Sequence, residues 1–149
     1  MVHGAVGNNV PRVGFAEAKC VMETLSSASA KGLVRSIHDC AEGGIGVACA
    51  EMAFAGGLGI KIDLSKVPLG DPLDRDDRIL FSESNTRFVV EVDPDVKSDF
   101  EGAMRNVPIG LVGAVTESSE FVVKGLGGKV RVKMDIADLK EAWQRPLRW

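Results

Sequence analysis

The sequence predicts an α+β fold, a mixed β-sheet with helices packed against it. Stretches with apolar residues at three- and four-residue steps are interspersed with short Val-, Ile- and Phe-rich runs. Glycine and proline clusters punctuate these segments. Their order is helix, strand, helix, strand, then after a charged stretch strand, helix, three strands and helix, which mixes the two types in one layer system. The 149 residues are read as one domain, 1–149, and a hydrophobic content of 45% supplies its core.

Residues 1–12 read as a loop, because Gly7-Asn8-Asn9-Val10-Pro11 combines turn formers with a residue that lacks a backbone donor. From Phe15 to Ser29 the apolar positions Phe15, Ala18, Val21, Met22 and Leu25 fall on one helical face, and Gly32 ends the helix. Leu33 to Asp39 is a short extended run. A small-residue helix follows over Ile45–Phe54, closed by Gly56-Gly57, and Leu58–Leu64 alternates as a second strand. Strand, helix and strand within about thirty residues predict a parallel βαβ unit with a right-handed crossover.

Lys66 to Arg78, with two prolines and a charged cluster, is expected to be a loop holding one short helical turn. Arg87–Val92 is a strand, and Asp93-Pro94 opens an amphipathic helix around Val96, Phe100, Ala103 and Met104. Ile109–Val115 and Phe121–Lys124 are further strands, and the glycines of residues 125–128 suit a hairpin turn into Val130–Met134. Asp135 is placed to cap a last helix whose buried face carries Ile136, Leu139 and Trp143.

Composition narrows the function. The formal charge of −3 lacks the basic footprint of nucleic-acid binding, and no apolar run approaches the roughly 20 residues that span a bilayer. Neither nucleic acid nor membrane is therefore expected as a partner. Three cysteines without a CxxC pair indicate neither a disulfide framework nor structural zinc, which suits a reducing cytoplasm. Cys20 and Cys49 read as core thiols and His3 as incidental. Neither a GxGxxG nor a GxxxxGK[ST] element occurs.

Two segments carry candidate chemistry. In His38-Asp39-Cys40-Ala41-Glu42-Gly43-Gly44-Ile45 a strand end, a sharp turn and a helix start meet. Gly43 and Gly44 permit close backbone approach, and free helix amides receive oxyanions. Asp39 suits magnesium, which prefers hard oxygen ligands, and His38 suits a phosphate or substrate oxygen. Equally, Asp39 could cap the turn and His38 could be a half-buried, satisfied side chain. In Leu80-Phe81-Ser82-Glu83-Ser84-Asn85-Thr86-Arg87, the hydroxyls of Ser82 and Ser84 flank the Glu83 carboxylate, and Arg87 suits a phosphate or carboxylate. The plain alternative is a polar turn with Arg87 in a surface ion pair.

Together with ACAEMA at Ala48–Ala53, Arg87–Val92 and Leu139–Trp143, these segments resemble the C-terminal domain of the aminoimidazole-ribonucleotide (AIR) synthetase superfamily. Within it they are most similar to the large subunits of phosphoribosylformylglycinamidine synthases. The resemblance implies an AIR synthetase C-terminal-domain-like sandwich and an ATP-dependent C–N ligase of purine biosynthesis. There ATP activates the amide oxygen of formylglycinamide ribonucleotide, and ammonia displaces phosphate. It implies ATP and Mg2+ as cofactors, and as partners an N-terminal ATP-binding domain, a glutaminase subunit and a small bridging subunit. By position, Asp39 matches a magnesium aspartate and Ser82, Glu83 and Ser84 match a substrate loop, with Asn85 where Gln is expected. The His-Asp turn is similar to the second of two C-terminal copies, which helps form an auxiliary nucleotide site. The catalytic histidine and ATP lysine belong to the domain that the family places ahead of this one, so the chain alone is expected to be catalytically silent. Sister ATP-using enzymes (AIR synthetase, selenophosphate synthetase, thiamine-phosphate kinase) and a non-catalytic docking module are the alternative readings.

Overall fold

The computed structural model describes residues 10–148. The expected loop over residues 1–12 and His3 therefore fall largely outside the described residues; positions 10–12 carry no regular structure. Helix α1 spans Phe15–Ala30. It ends in a Schellman motif: Gly32, at φ 73°, donates to the Ser29 carbonyl at 2.9 Å, and the Leu33 amide reaches the Ala28 carbonyl at 3.1 Å. Strand β1 (Ser36–Asp39), helix α2 (Gly44–Gly56) and strand β2 (Gly59–Asp63) follow. Then come α3 (Asp76–Phe81), β3 (Phe88–Glu91), α4 (Lys97–Ala103), β4 (Gly113–Thr116), β5 (Glu120–Lys124), β6 (Val130–Asp135) and α5 (Ile136–Gln144). The α+β class is thus as the sequence predicts.

The parallel βαβ unit is not. The strands form two sheets, β1–β3 and β4–β2–β5–β6, so β1 and β2 lie in different sheets and α2 is no crossover within one. The parallel partner of β2 is β5, with Ile60 opposite Phe121 and Ile62 opposite Val123. Three of these four side chains are buried, and this match of bulky apolar residues outweighs proximity in sequence. β1 instead pairs antiparallel with β3, Asp39 opposite Phe88.

Two cores result. Leu25 and Ala28 of α1 meet Phe100 of α4 and Met104, under the β1–β3 sheet. The larger core joins α2, α3, α5 and the four-stranded sheet around Cys49, Leu64, Ile79 and Val123. Ile79 and Leu80 are buried there, which draws the short helical turn expected before Arg78 into a helix reaching Phe81. The strand expected over Ile109–Val115 begins only at Gly113, which pairs with Ile62 one residue before its partner strand β2 ends at Asp63. Asp135 caps α5 as expected, accepting from the Ala137 amide at 2.8 Å. Trp143 is half exposed rather than buried, its ring tilted against Phe54 at 5.8 Å.

Candidate functional site

Antiparallel pairing of β1 with β3 sets the end of β1 beside the start of β3, and the Cys40 amide donates to the Arg87 carbonyl at 2.8 Å. The turn after β1 and the loop before β3 must therefore run side by side. They form the walls of an open cleft of about 580 Å3. His38, Asp39, Glu83, Ser84 and Arg87 line it, together with the exposed Met22 of α1. The two sequence segments are thus brought together at one cleft.

Gly43, Gly44 and Ser82 stand behind this wall. Gly43, at φ 75°, is the N-cap of α2, and its amide donates to the Glu83 carboxylate at 2.9 Å. The helix-start amide that an incoming oxyanion would use is thus already capped from within the chain. Gly44, at φ 63°, packs so tightly that a Cβ would lie 2.5 Å from the Ser82 carbonyl oxygen. No other residue fits both that space and that backbone conformation. The glycines bring α2 against the end of α3, which fixes where the 82–87 loop begins.

Arg87 makes no ion pair among the described contacts. Its Nη2 donates to the Ser82 carbonyl, closing the loop on itself, while its buried Nε has no hydrogen-bond partner among the described residues. Its charge also faces the Cys40 thiol. Burial pushes that thiol up, against a smaller downward pull from Arg87. Burial likewise raises Cys49 to about 12, so neither buried cysteine is a poised nucleophile. Thr86 occupies the left-handed region at φ 58°, a strained conformation for a β-branched residue, and it too lines the cleft.

His38 is half buried. Its Nε2 lies 2.7 Å from Glu51 Oε2 and its Nδ1 2.7 Å from the Asp39 carbonyl. The Asp39 carboxylate is largely exposed, 3.4 Å from His38 Nδ1. Among the described residues no group of three or more His, Cys, Asp or Glu side chains is arranged to hold a metal. A magnesium ion carried by a phosphate needs only one or two protein carboxylates, and for that the free face of Asp39 fits. Glu51 escaped the sequence reading. Its signal was present, as the single charged residue of an otherwise apolar, small-residue helix.

Two sheets with helices on them, and an open cleft where a His-Asp turn meets a hydroxyl-rich loop, define the class of α+β domain. The chain belongs to the AIR synthase related protein, C-terminal domain family, whose model matches residues 5–125. Over 147 residues it is 32% identical to phosphoribosylformylglycinamidine synthase subunit PurL of Deinococcus radiodurans, covering 99% of this chain and 19% of that one. The PurL subunit of Methanopyrus kandleri is 36% identical over 150 residues, 99% of this chain and 20% of its own. The chain thus spans about a fifth of the length of the curated relatives it matches. Among solved structures, Thermotoga maritima PurL complexed with ATP superposes with a TM-score of 0.72 at 26% identity, over 80% of this chain and 21% of that one. Escherichia coli HypE, a hydrogenase maturation protein, shares the fold alone, with a TM-score of 0.63 at 23% identity over 78% of this chain and 39% of its own. No helix among the described residues is long and apolar enough to cross a membrane.

Proposed function

We propose that this chain supplies one wall of a ligand site in a phosphoribosylformylglycinamidine synthase, the ATP-dependent ligase that converts formylglycinamide ribonucleotide to its amidine. The observation that carries this reading is the shared cleft between the His38-Asp39 turn and the Ser82–Arg87 loop. Its volume suits a small phosphorylated molecule. Asp39 would hold a phosphate-bound Mg2+, which supplies charge neutralisation at the phosphates, while the Ser84 hydroxyl offers a hydrogen bond to the ligand. An N-terminal ATP-binding domain would complete the site, with a glutaminase subunit and a small bridging subunit as ammonia-supplying partners. A cytoplasmic setting agrees with three free cysteines.

A second reading has its own support. Glu83 and Arg87 are both engaged within the chain, on the Gly43 amide and the Ser82 carbonyl, as a docking module with a prebuilt loop would have them. Calorimetry separates the two. MgATP and formylglycinamide ribonucleotide are titrated into the chain alone and into the chain mixed with an N-terminal ATP-binding domain. The ligand-site reading expects no turnover by the chain alone, and binding that Asp39→Asn weakens about tenfold without lowering the melting temperature. Binding indifferent to Asp39→Asn would assign the chain to docking.

A further inference from the structure

Glu51 serves two donors at once. Its Oε2 meets His38 Nε2 at 2.7 Å, and its Oε1 accepts from Trp143 Nε1 at 2.7 Å. One carboxylate, about three-quarters buried, therefore joins β1, α2 and the C-terminal helix α5. Each oxygen has a different partner, so the carboxylate is oriented from two sides. Swinging away from His38 would also break its bond to the indole N–H, which on the half-exposed Trp143 would turn to water.

The consequence reaches the cleft through His38. Both neighbours of the ring are acceptors: Nε2–H donates to Glu51, and Nδ1, which lies 2.7 Å from the Asp39 carbonyl, donates there only in a ring that carries a proton on each nitrogen. Because Nδ1 stands so close to the Asp39 carbonyl, turning the ring would displace the Asp39 peptide, and Asp39 lines the cleft. An outer carboxylate fixing the orientation of a histidine is a recurrent way to set the geometry of a site. The anchor here lies on a helix 92 residues further along the chain than the carboxylate it holds.

We propose that Glu51 is a positioning residue of the cleft, setting the His38 ring and the Asp39 turn through an arm anchored on Trp143. This rests on the reading of the cleft as the ligand site, but its test needs no ligand. In the 149-residue chain, Trp143→Phe keeps an aromatic ring for Phe54 while deleting the N–H donor together with part of the indole. The readout is the NMR imidazole signals of His38, assigned with His38→Asn, and the amide signals of Asp39 and Cys40. Trp143→Phe is expected to shift all three sets while the melting temperature stays nearly constant. Glu51→Ala should shift them further, and Glu51→Gln, which retains an acceptor oxygen, should restore part of the native pattern. The Glu51→Ala, Trp143→Phe double variant should match Glu51→Ala alone. His38 and Asp39 signals indifferent to Trp143→Phe, or shifts that simply add in the double variant, would overturn the proposal. Should Glu51→Ala not fold, Trp143→Phe and Glu51→Gln still decide it. Failure of MgATP to bind would count against the proposed function and leave this coupling standing.

Discussion

The carboxylate of Glu83 accepts a hydrogen bond from the amide of Gly43 at 2.9 Å, so a residue forty positions later caps the start of α2. A capping box does the same locally, when a glutamate in the first turn reaches back to the N-cap amide. Here the glutamate comes from the other wall of the cleft, and the cap doubles as a staple between the walls. Glu83→Ala should cost about 1 kcal/mol, as loss of a helix cap does, and Glu83→Gln less, since its amide oxygen still accepts. Urea unfolding at neutral pH reads the difference directly. An alanine variant as stable as the native chain would show that the contact does not cap the helix.

Thr86 stores strain at the rim of the cleft. Its φ of 58° brings a branched side chain into the left-handed region, which costs on the order of 1–3 kcal/mol for such residues. Asparagine tolerates that conformation far better. Thr86→Asn should therefore stabilise the chain by about 1 kcal/mol, a rise of roughly 2–4 °C in melting temperature for a chain of this size. A fall instead would mean that the Thr86 side chain contributes more through its contacts than its backbone costs.

Local chemistry was legible in the sequence, and partnership between strands was not. The Schellman end at Gly32, the Asp135 cap and the small-residue face of α2 each follow from residues within a few positions of one another. The alternation of Ile60 and Ile62 marks a strand but says nothing of whether Phe121 or Ile37 lies beside it, and so the βαβ unit was expected wrongly. The two motifs were legible one by one, yet the antiparallel β1–β3 register that brings them to one cleft was not. Glu51 stood out as the one charge on α2, but nothing near it in sequence announces that His38 and Trp143 converge on it.

Acid should weaken the fold through its aspartates. Asp76 accepts from the Leu126 amide at 2.7 Å and from Arg131 Nε at 2.5 Å, and both hold its carboxyl below the usual range, the amide more strongly. Hydrogen bonds from Ser65, from the Asp95 amide and from Ser119 lower Asp63, Asp93 and Asp135 in the same direction. Each group then takes up its proton more readily when unfolded, so its contribution is present above the unfolded value of 3.8 and is lost as pH falls through the lower folded value. Melting temperature should decline from about pH 5 downward. Asp76→Asn should start lower at pH 7 and fall less steeply, and parallel curves for the two proteins would remove Asp76 from the acid response.

Alkali should weaken it through a thiol. Cys49 is fully buried in the larger core, and burial, helped by the neighbouring Cys40, raises it to about 12 from an ordinary 9.0. Between those values the unfolded chain gives up the proton while the folded chain keeps it, so unfolding gains ground as pH rises. The stability this proton confers is complete below pH 9 and lost on the way to 12. Cys49→Ala, which leaves a small apolar residue in the same place, should flatten the fall in urea midpoint between pH 8 and pH 10. The same burial predicts two classes of reactivity: Cys20, partly exposed on α1, should titrate promptly with a thiol reagent, and Cys40 and Cys49 only as fast as the fold opens. Three thiols reacting together in the native chain would mean that the core around α2 opens far more readily than its packing implies.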